Sequence, residues 1–161
     1  MAHAPWVPVQ SAVTVAARAL QAAAELRDKI ARRRGDSRLA VEEANRRFYD
    51  AFQRCSLQAM EEVWGEGEHV QCVHPVSLCV AGRENVMESW KLMLGNSDGY
   101  MRFQLEDVRV YAGDEQAFVT CVEVIDAADT RGRVVATNIF EKQHGQWKIV
   151  QHHGSPAPLF L

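Results

Sequence analysis

Four polar side chains in this sequence are of the types that move protons or hold developing negative charge. His74 and His153 can accept a proton near neutral pH. Glu123 can act as a general acid or base, and Asn138 can donate a hydrogen bond to an oxyanion. Such chemistry needs a few polar groups held together in an apolar setting, so it depends on the elements that position them. The alternative is that these residues are satisfied core or rim groups.

A tight turn sets the register of the last two predicted strands. Gly145 stands at the second central position of residues 143–146, which favours a two-residue hairpin loop. One face then carries Trp147, while the other carries charged side chains, so we expect the first face to line the core. The cross-strand pairs on that face are Phe140 with Ile149, Asn138 with Gln151, and Ala136 with His153.

Glu123 is the candidate inner carboxylate. A connection across residues 127–132 that opposes Asp126 to Arg133 places Glu123 beside Ala136 on the inner face. A slip of one residue would reverse this assignment, because successive strand residues point to opposite faces. The inward residues would then be Thr120, Val122 and Val124.

The spacing of apolar residues predicts helices first and strands afterwards. Helical periodicity covers residues 38–55, a second helix is capped by Ser56 and ended by Gly65, and a third covers residues 85–94. Alternation in residues 69–74 predicts an early strand with Val70, Cys72 and His74 on one face. Four later runs alternate with period two, at residues 101–111, 116–126, 133–142 and 146–153. This order predicts an α+β fold with an antiparallel meander.

The first 37 residues form a separate Ala- and Arg-rich segment. Its apolar residues recur at helical spacing, and Arg32–Arg34 followed by Gly35 indicates that a helix ends there. The stripe consists of Val15, Ala19, Ala22, Leu26 and Ile30. Two of these five residues are alanine, so the stripe buries little area and we expect a helical extension that is marginal alone. A linker, a helix that binds a protein partner and a targeting remnant all remain open.

Composition narrows the class of protein. The 161 residues carry a net charge of −3, and no window approaches the ~18 apolar residues of a membrane span. We therefore expect no membrane span and no nucleic-acid partner. The four cysteines lack metal or redox spacing and are predicted to be reduced. Because no secretory signal is evident, we expect residence in the cytoplasm or in an organelle stroma or matrix.

Neither a metal nor a cofactor is expected. His152 and His153 are neighbours on a strand and therefore point to opposite faces, so they cannot share one metal ion. The glycines of Gly65-Glu66-Gly67 lack the third glycine and the helix start of a phosphate-binding loop.

Together these motifs resemble the SnoaL-like branch of the NTF2-like superfamily. The resemblance covers about residues 38–156. It rests on the order of the elements and on five motifs along the chain. These motifs are Trp64, His74-Pro75, Gly82 followed by Trp90, Ala136 to Phe140, and Trp147 through His152-His153-Gly154-Ser155-Pro156. It implies a cone, in which a strongly curved, mostly antiparallel sheet wraps three helices and opens into an apolar pocket. The domain boundaries that follow are an extension at 1–37, the cone at 38–156 and a tail at 157–161.

The resemblance allows two functions. In the first, the domain binds an apolar small molecule and acts as a metal-free isomerase, cyclase or hydrolase through His153, Asn138, Glu123 and His74. The expected pocket wall consists of Tyr49, Trp64, Trp90, Cys121, Phe140, Trp147 and Gln151. In the second, the domain is a non-catalytic interaction or assembly subunit that uses its N-terminal helix and its sheet face. The family also implies a homodimer.

Overall fold

A computed structural model describes residues 9–95, 101–127 and 130–157. The chain divides into two units, one up to Asp36 and one from Ser37 onward. Its helices are α1 (Val9–Gln53), α2 (Leu57–Val63) and α3 (Arg83–Gly95). The predicted end at Gly35 is wrong, since α1 continues through it. A single glycine costs a helix about 1 kcal/mol, and the good helix formers around it outweigh that cost.

Within the described ranges, six strands form one sheet. They are β1 (Gln71–Val73), β2 (Val80–Ala81), β3 (Phe103–Ala112), β4 (Gln116–Ala127), β5 (Thr130–Gln143) and β6 (Gln146–Ala157). The sheet order is β2-β1-β6-β5-β4-β3, and every neighbouring pair is antiparallel except β1 with β6. The α+β fold with a curved sheet and an N-terminal helix is therefore confirmed, while the short β2 was not predicted.

The hairpin between β5 and β6 turns where the sequence predicts. His144 and Gly145 both have positive φ, at 51° and 78°, as a type I′ turn requires. Phe140 pairs with Ile149 as predicted, but the register then shifts by one residue, so Asn138 pairs with His152. Val150 is the extra residue on β6. This β-bulge turns His152 inward and His153 outward.

The core of the second unit lies between the helices and the inner face of the sheet. Ser56 caps α2 as predicted, with its side-chain oxygen accepting from the Ala59 amide at 3.2 Å. The largest buried hydrophobic side chains are Trp64, Trp90, Phe48, Phe140, Met60 and Ile149. In the part of the chain that the structure describes, no helix has the length and apolarity to cross a membrane.

Candidate functional site

Strand alternation brings four polar or ionisable side chains to the inner face of the sheet. On β4 the buried residues include Cys121 and Glu123, and on β5 they include Asn138. The bulge in β6 adds His152, which is fully buried. The inward position predicted for Glu123 is confirmed, although Glu123 pairs with Val134 rather than with Ala136. Glu123 still points inward because the observed pairing differs from the predicted one by two residues, and side chains on a strand return to the same face every two residues.

Helix α1 supplies two more polar groups to this cluster. Asn45 and Tyr49 stand four residues apart, so they lie on one face of the helix, one turn from each other. Both are buried against the sheet. Asn45 was not among the sequence candidates, although a polar residue inside the apolar stripe of this helix was a usable signal.

Hydrogen bonds join these groups into a directed chain. His152 Nδ1 lies 2.7 Å from Asn138 Oδ1, and Asn138 Nδ2 donates to Asn45 Oδ1 at 2.8 Å and to Tyr49 Oη at 3.2 Å. Tyr49 Oη in turn donates to Glu123 Oε1 at 2.8 Å. Because Asn138 uses its NH₂ group on two acceptors, its oxygen must accept from His152. The proton of neutral His152 is therefore on Nδ1.

Burial controls the charge of Glu123. Removal from water raises the pKa of this carboxyl from 4.5 to about 7, and the hydrogen bond from Tyr49 opposes part of that rise. Glu123 therefore changes its protonation state near neutral pH, as a general acid or base must. Burial also raises the pKa of Tyr49 well above 10, so its hydroxyl keeps its proton.

Two more groups of the site are held neutral. Burial lowers the pKa of His152 from 6.5 to about 3, with smaller contributions from His74 and His153. Cys121 Sγ lies 3.2 Å from Tyr49 Oη, and burial raises the pKa of this thiol to about 11. Glu123 is thus the group of this cluster that can exchange a proton near pH 7.

A cavity of about 290 Å³ opens beside the cluster, between α1 and β3. Asn45 and Tyr49 line it, and so do Leu105 and Val108. The pairing of β3 with β4 shifts between Glu106 and Arg109, so the strand bulges where Val108 joins the wall. The charged side chains that line the same cavity are Glu42, Arg46 and Asp50. Tyr49 therefore connects the cavity to Glu123.

Two of the predicted inner residues lie elsewhere. His153 is exposed on the outer face, where it pairs with Thr137, and Gln151 is half-buried opposite Ile139. The inward position expected for both residues is corrected, because the bulge at Val150 reverses the face that each later side chain of β6 occupies. In the sequence, the bulge is indicated by two consecutive apolar residues, Ile149 and Val150, and both are buried in the structure.

His74 belongs to a second polar cluster at the end of β1. Its Nε2 atom lies 3.0 Å from Ser89 Oγ on α3, and its ring meets the Trp90 ring edge to face at 4.7 Å. Cys72 Sγ is within 3.6 Å of the same nitrogen. Burial lowers the pKa of His74. The hydrogen-bond chain described above does not include it.

The aromatic candidates divide between cavity wall and core. Tyr49 lines the cavity, whereas Trp64 and Trp90 pack around Phe48 with ring centroids 6.3 and 5.6 Å from it. Phe140 is buried in the same core. Trp147 is half-buried, with Lys142 Nζ 5.7 Å from its ring centre. Across the described ranges, no three His, Cys, Asp or Glu side chains gather as metal ligands would.

Comparison with known proteins identifies the family. The model of the SnoaL-like domain matches residues 41–159, most of the chain. The chain belongs to the SnoaL-like domain family. This SnoaL-like chain is also 30% identical over 116 residues to the F-box protein SKIP8 of Arabidopsis thaliana. That match covers 72% of this chain and 49% of SKIP8, so the chain spans about half the length of this curated relative.

Solved structures of NTF2-like proteins share the fold. A family member from Streptomyces avermitilis, proposed to be a dehydratase, is 32% identical with a TM-score of 0.72, over 77% of this chain and 98% of that one. A proposed calcium/calmodulin-dependent protein kinase type II association domain from Thiobacillus denitrificans is also 32% identical, with a TM-score of 0.67, over 73% and 94%. A proposed ketosteroid isomerase from Parabacteroides distasonis, at 20% identity and a TM-score of 0.58 over 70% and 84%, shows the fold alone.

Proposed function

We propose that this SnoaL-like domain binds a small molecule carrying an acceptor oxygen and moves a proton to or from it without a metal. The observation that carries the proposal is Tyr49, whose hydroxyl contacts Glu123 and whose side chain lines the cavity. A carboxyl with a pKa of about 7, reached through one hydroxyl, is suited to acid–base catalysis. Isomerase, cyclase and hydrolase reactions all fall within this class, as does the dehydratase activity proposed for the Streptomyces protein.

The protonation state of Glu123 sets what Tyr49 offers to a ligand. While Glu123 is ionised, the Tyr49 hydroxyl donates to it. Once Glu123 takes up a proton, its own O–H donates to Tyr49 Oη. The Tyr49 proton then no longer points to Glu123 and can turn from Cys121 Sγ to a stronger acceptor, an oxygen in the cavity. Tyr49 Oη then accepts from Glu123 and Asn138, which uses both of its lone pairs. Ligand binding should therefore strengthen below about pH 7.

A phenolate probe tests this arrangement. We expect 2,4-dinitrophenolate, which stays ionised across the pH range tested, to bind the purified protein in the cavity. Its binding, followed by absorbance, should weaken as the pH rises through about 7. Glu123→Gln mimics the protonated carboxyl, so it should bind with no such pH dependence. Tyr49→Phe removes the donor and should lose about tenfold in affinity or more, as for a hydrogen bond to a charged group.

His153→Gln is the matched control, since it changes a polar residue of the sheet that is exposed outside the core. It should bind the probe as the wild type does. Equal affinity of Tyr49→Phe and wild type, with thermal unfolding showing both proteins folded, would contradict the proposal.

A second candidate function, assembly through the outer face of the sheet, has its own support. Tyr111 and Phe118 are exposed there, with their rings stacked at 4.7 Å, and they line a concavity of about 540 Å³ with Ile139. Exposed aromatic patches mark interaction surfaces. The occupant we propose is a second copy, which makes a homodimer.

The mass in solution tests the dimer. Phe118→Glu would bury a charge in the interface and should convert dimer to monomer in sedimentation equilibrium. Leu92→Glu is the control, because Leu92 is exposed on α3, away from the sheet face. A wild-type protein that stays monomeric at the highest soluble concentration would refute this candidate.

A further inference from the structure

The N-terminal part of α1 is an exposed helix with an apolar face. Every side chain from Thr14 to Asp36 is exposed, and this includes Val15 at 67%, Leu26 at 58% and Ile30 at 44%. From Val15 to Ile30 the stripe is about 22 Å long at 1.5 Å per residue. An apolar stripe of this length that contacts water throughout is unfavourable, so it indicates a surface that covers it.

The charge of this segment differs in sign from the rest of the chain. Residues 1–36 contain six Arg or Lys and three Asp or Glu, whereas residues 37–161 contain twelve and eighteen. The first segment therefore carries +3 and the remainder −6. A single overall charge of −3 conceals this division. An anionic partner would be attracted by the helix and repelled by the remainder.

Basic side chains stand along both edges of the stripe. At about 100° per residue, Arg18 and Lys29 fall on one edge, and Arg27 and Arg34 fall on the other. Of the acidic residues, Asp28 is on the opposite face, whereas Asp36 falls at the same angle as Arg18 and Glu25 lies just outside that edge. Long basic side chains at such edges can extend their charge to lipid headgroups while their stems cover apolar surface.

We propose that residues 14–36 bind an anionic lipid surface, lying along it rather than crossing it. A sheet of anionic headgroups contacts both basic edges at once and accepts the apolar stripe between them. A second copy of the helix would bring like charges together. A protein partner would have to provide an apolar groove with acidic walls on both sides. Because the stripe has only three residues larger than alanine, its partition alone is weak, and binding should depend on the charge of the lipid.

Vesicle sedimentation of the full chain tests the proposal. We expect binding to phosphatidylcholine vesicles that contain phosphatidylserine, little binding to pure phosphatidylcholine, and release in about 1 M salt, where the Debye length is about 3 Å. Each basic residue near such a surface contributes about fivefold in partition. The pair Arg27→Gln with Arg34→Gln should therefore weaken binding about 25-fold.

Two further variants separate the contributions. Leu26→Gln with Ile30→Gln should also weaken binding, because it removes the two bulkiest residues of the stripe. Arg102→Gln with Arg109→Gln removes the same charge from exposed positions in the second unit and should bind as the wild type does.

Three outcomes would overturn the proposal. One is equal binding to charged and neutral vesicles. Another is no vesicle binding together with binding of polyglutamate, which would indicate an acidic protein partner. The third is no vesicle binding together with self-association that Leu26→Gln and Ile30→Gln abolish, which would indicate a second copy.

Discussion

At the scale of single residues, the site is a line of neutral groups that ends in one carboxyl. His152, Asn138 and Tyr49 are buried and uncharged, and each has a hydrogen-bond partner in the chain of contacts. Glu123 is buried with Tyr49 as its donor and has a pKa of about 7. Satisfied polar networks of this kind are rigid, and their partial disruption is costly.

The opposite pKa shifts of Glu123 and His152 predict an unusual pH dependence of stability. Glu123, raised from 4.5 to about 7, contributes stability that is present below pH 4.5 and lost as the pH rises through 7. His152, lowered from 6.5 to about 3, contributes stability that is present above pH 6.5 and lost as the pH falls through 3. Between pH 4.5 and 6.5 the two slopes oppose each other and should nearly cancel.

Glu123→Gln removes the contribution of Glu123 to the change in stability with pH. Its free energy of unfolding, measured with urea, should rise with pH more steeply than that of the wild type between pH 4.5 and 6.5, by about 1.4 kcal/mol per pH unit. Glu61→Gln, an exposed position, should follow the wild type. A curve for Glu123→Gln parallel to that of the wild type would show that Glu123 ionises normally.

Asn138 should be important for stability as well as for any chemistry. Asn138→Leu leaves His152, Asn45 and Tyr49 without their contacts to this amide, and each buried unsatisfied group costs about 1–3 kcal/mol. We expect a loss of about 3 kcal/mol or more in urea unfolding. Thr137→Val, on the other face of β5, should change stability by less than about 1 kcal/mol. Similar losses in the two variants would mean that the network adds little.

At the scale of elements, two bulges shape the site. The bulge at Val150 exchanges His153 for His152 at the inner face. The shift in β3 between Glu106 and Arg109 brings Val108 to the cavity wall. Val150 fits against Gly65, where an added Cβ would stand only 2.9 Å from Val150 Cγ1. The inner surface of the cone thus depends on departures from regular strands.

Two glycines with open surroundings should respond in opposite ways to alanine. Nothing lies within 4 Å of a Cβ added at Gly35 or at Gly145. Gly35 is inside α1, so Gly35→Ala should increase helicity by far-ultraviolet circular dichroism and favour the helix by up to about 1 kcal/mol. Gly145 has a φ of 78°, so Gly145→Ala should lower the free energy of unfolding by about 1 kcal/mol. A loss of helicity in Gly35→Ala, or a higher free energy of unfolding in Gly145→Ala, would contradict this assignment.

At the scale of the whole molecule, the hydrophobic core and the exposed N-terminal helix are separate features. Among the described side chains, burial begins at Ser37 and none occurs before it. The site, the cavity and the exposed aromatic patch of the sheet all lie in the second unit. The two proposals therefore assign ligand binding to the second unit and lipid binding to the first.

Removal of residues 1–36 should leave the second unit folded. We expect the truncated chain to unfold cooperatively, with a midpoint within a few degrees of the full chain, since the removed segment contributes no described buried side chain. It should retain probe binding and lose vesicle binding. Aggregation or loss of cooperative unfolding would show that the helix is part of the core.

Local patterns predicted the fold family, the order of the helices and the main strands, and the hairpin turn, and they offered an inward Glu123 that a slip of one residue would have reversed. These follow from local periodicity, turn chemistry and strand parity, all of which are encoded by neighbouring residues. They did not determine which histidine faces inward, because one bulged residue reverses every side chain beyond it. Nor did they connect Asn45 and Tyr49 to Glu123, since contacts between residues more than seventy positions apart depend on the packing of the helix against the sheet. That the polar groups form one chain ending at a cavity is seen only in the packed three-dimensional structure.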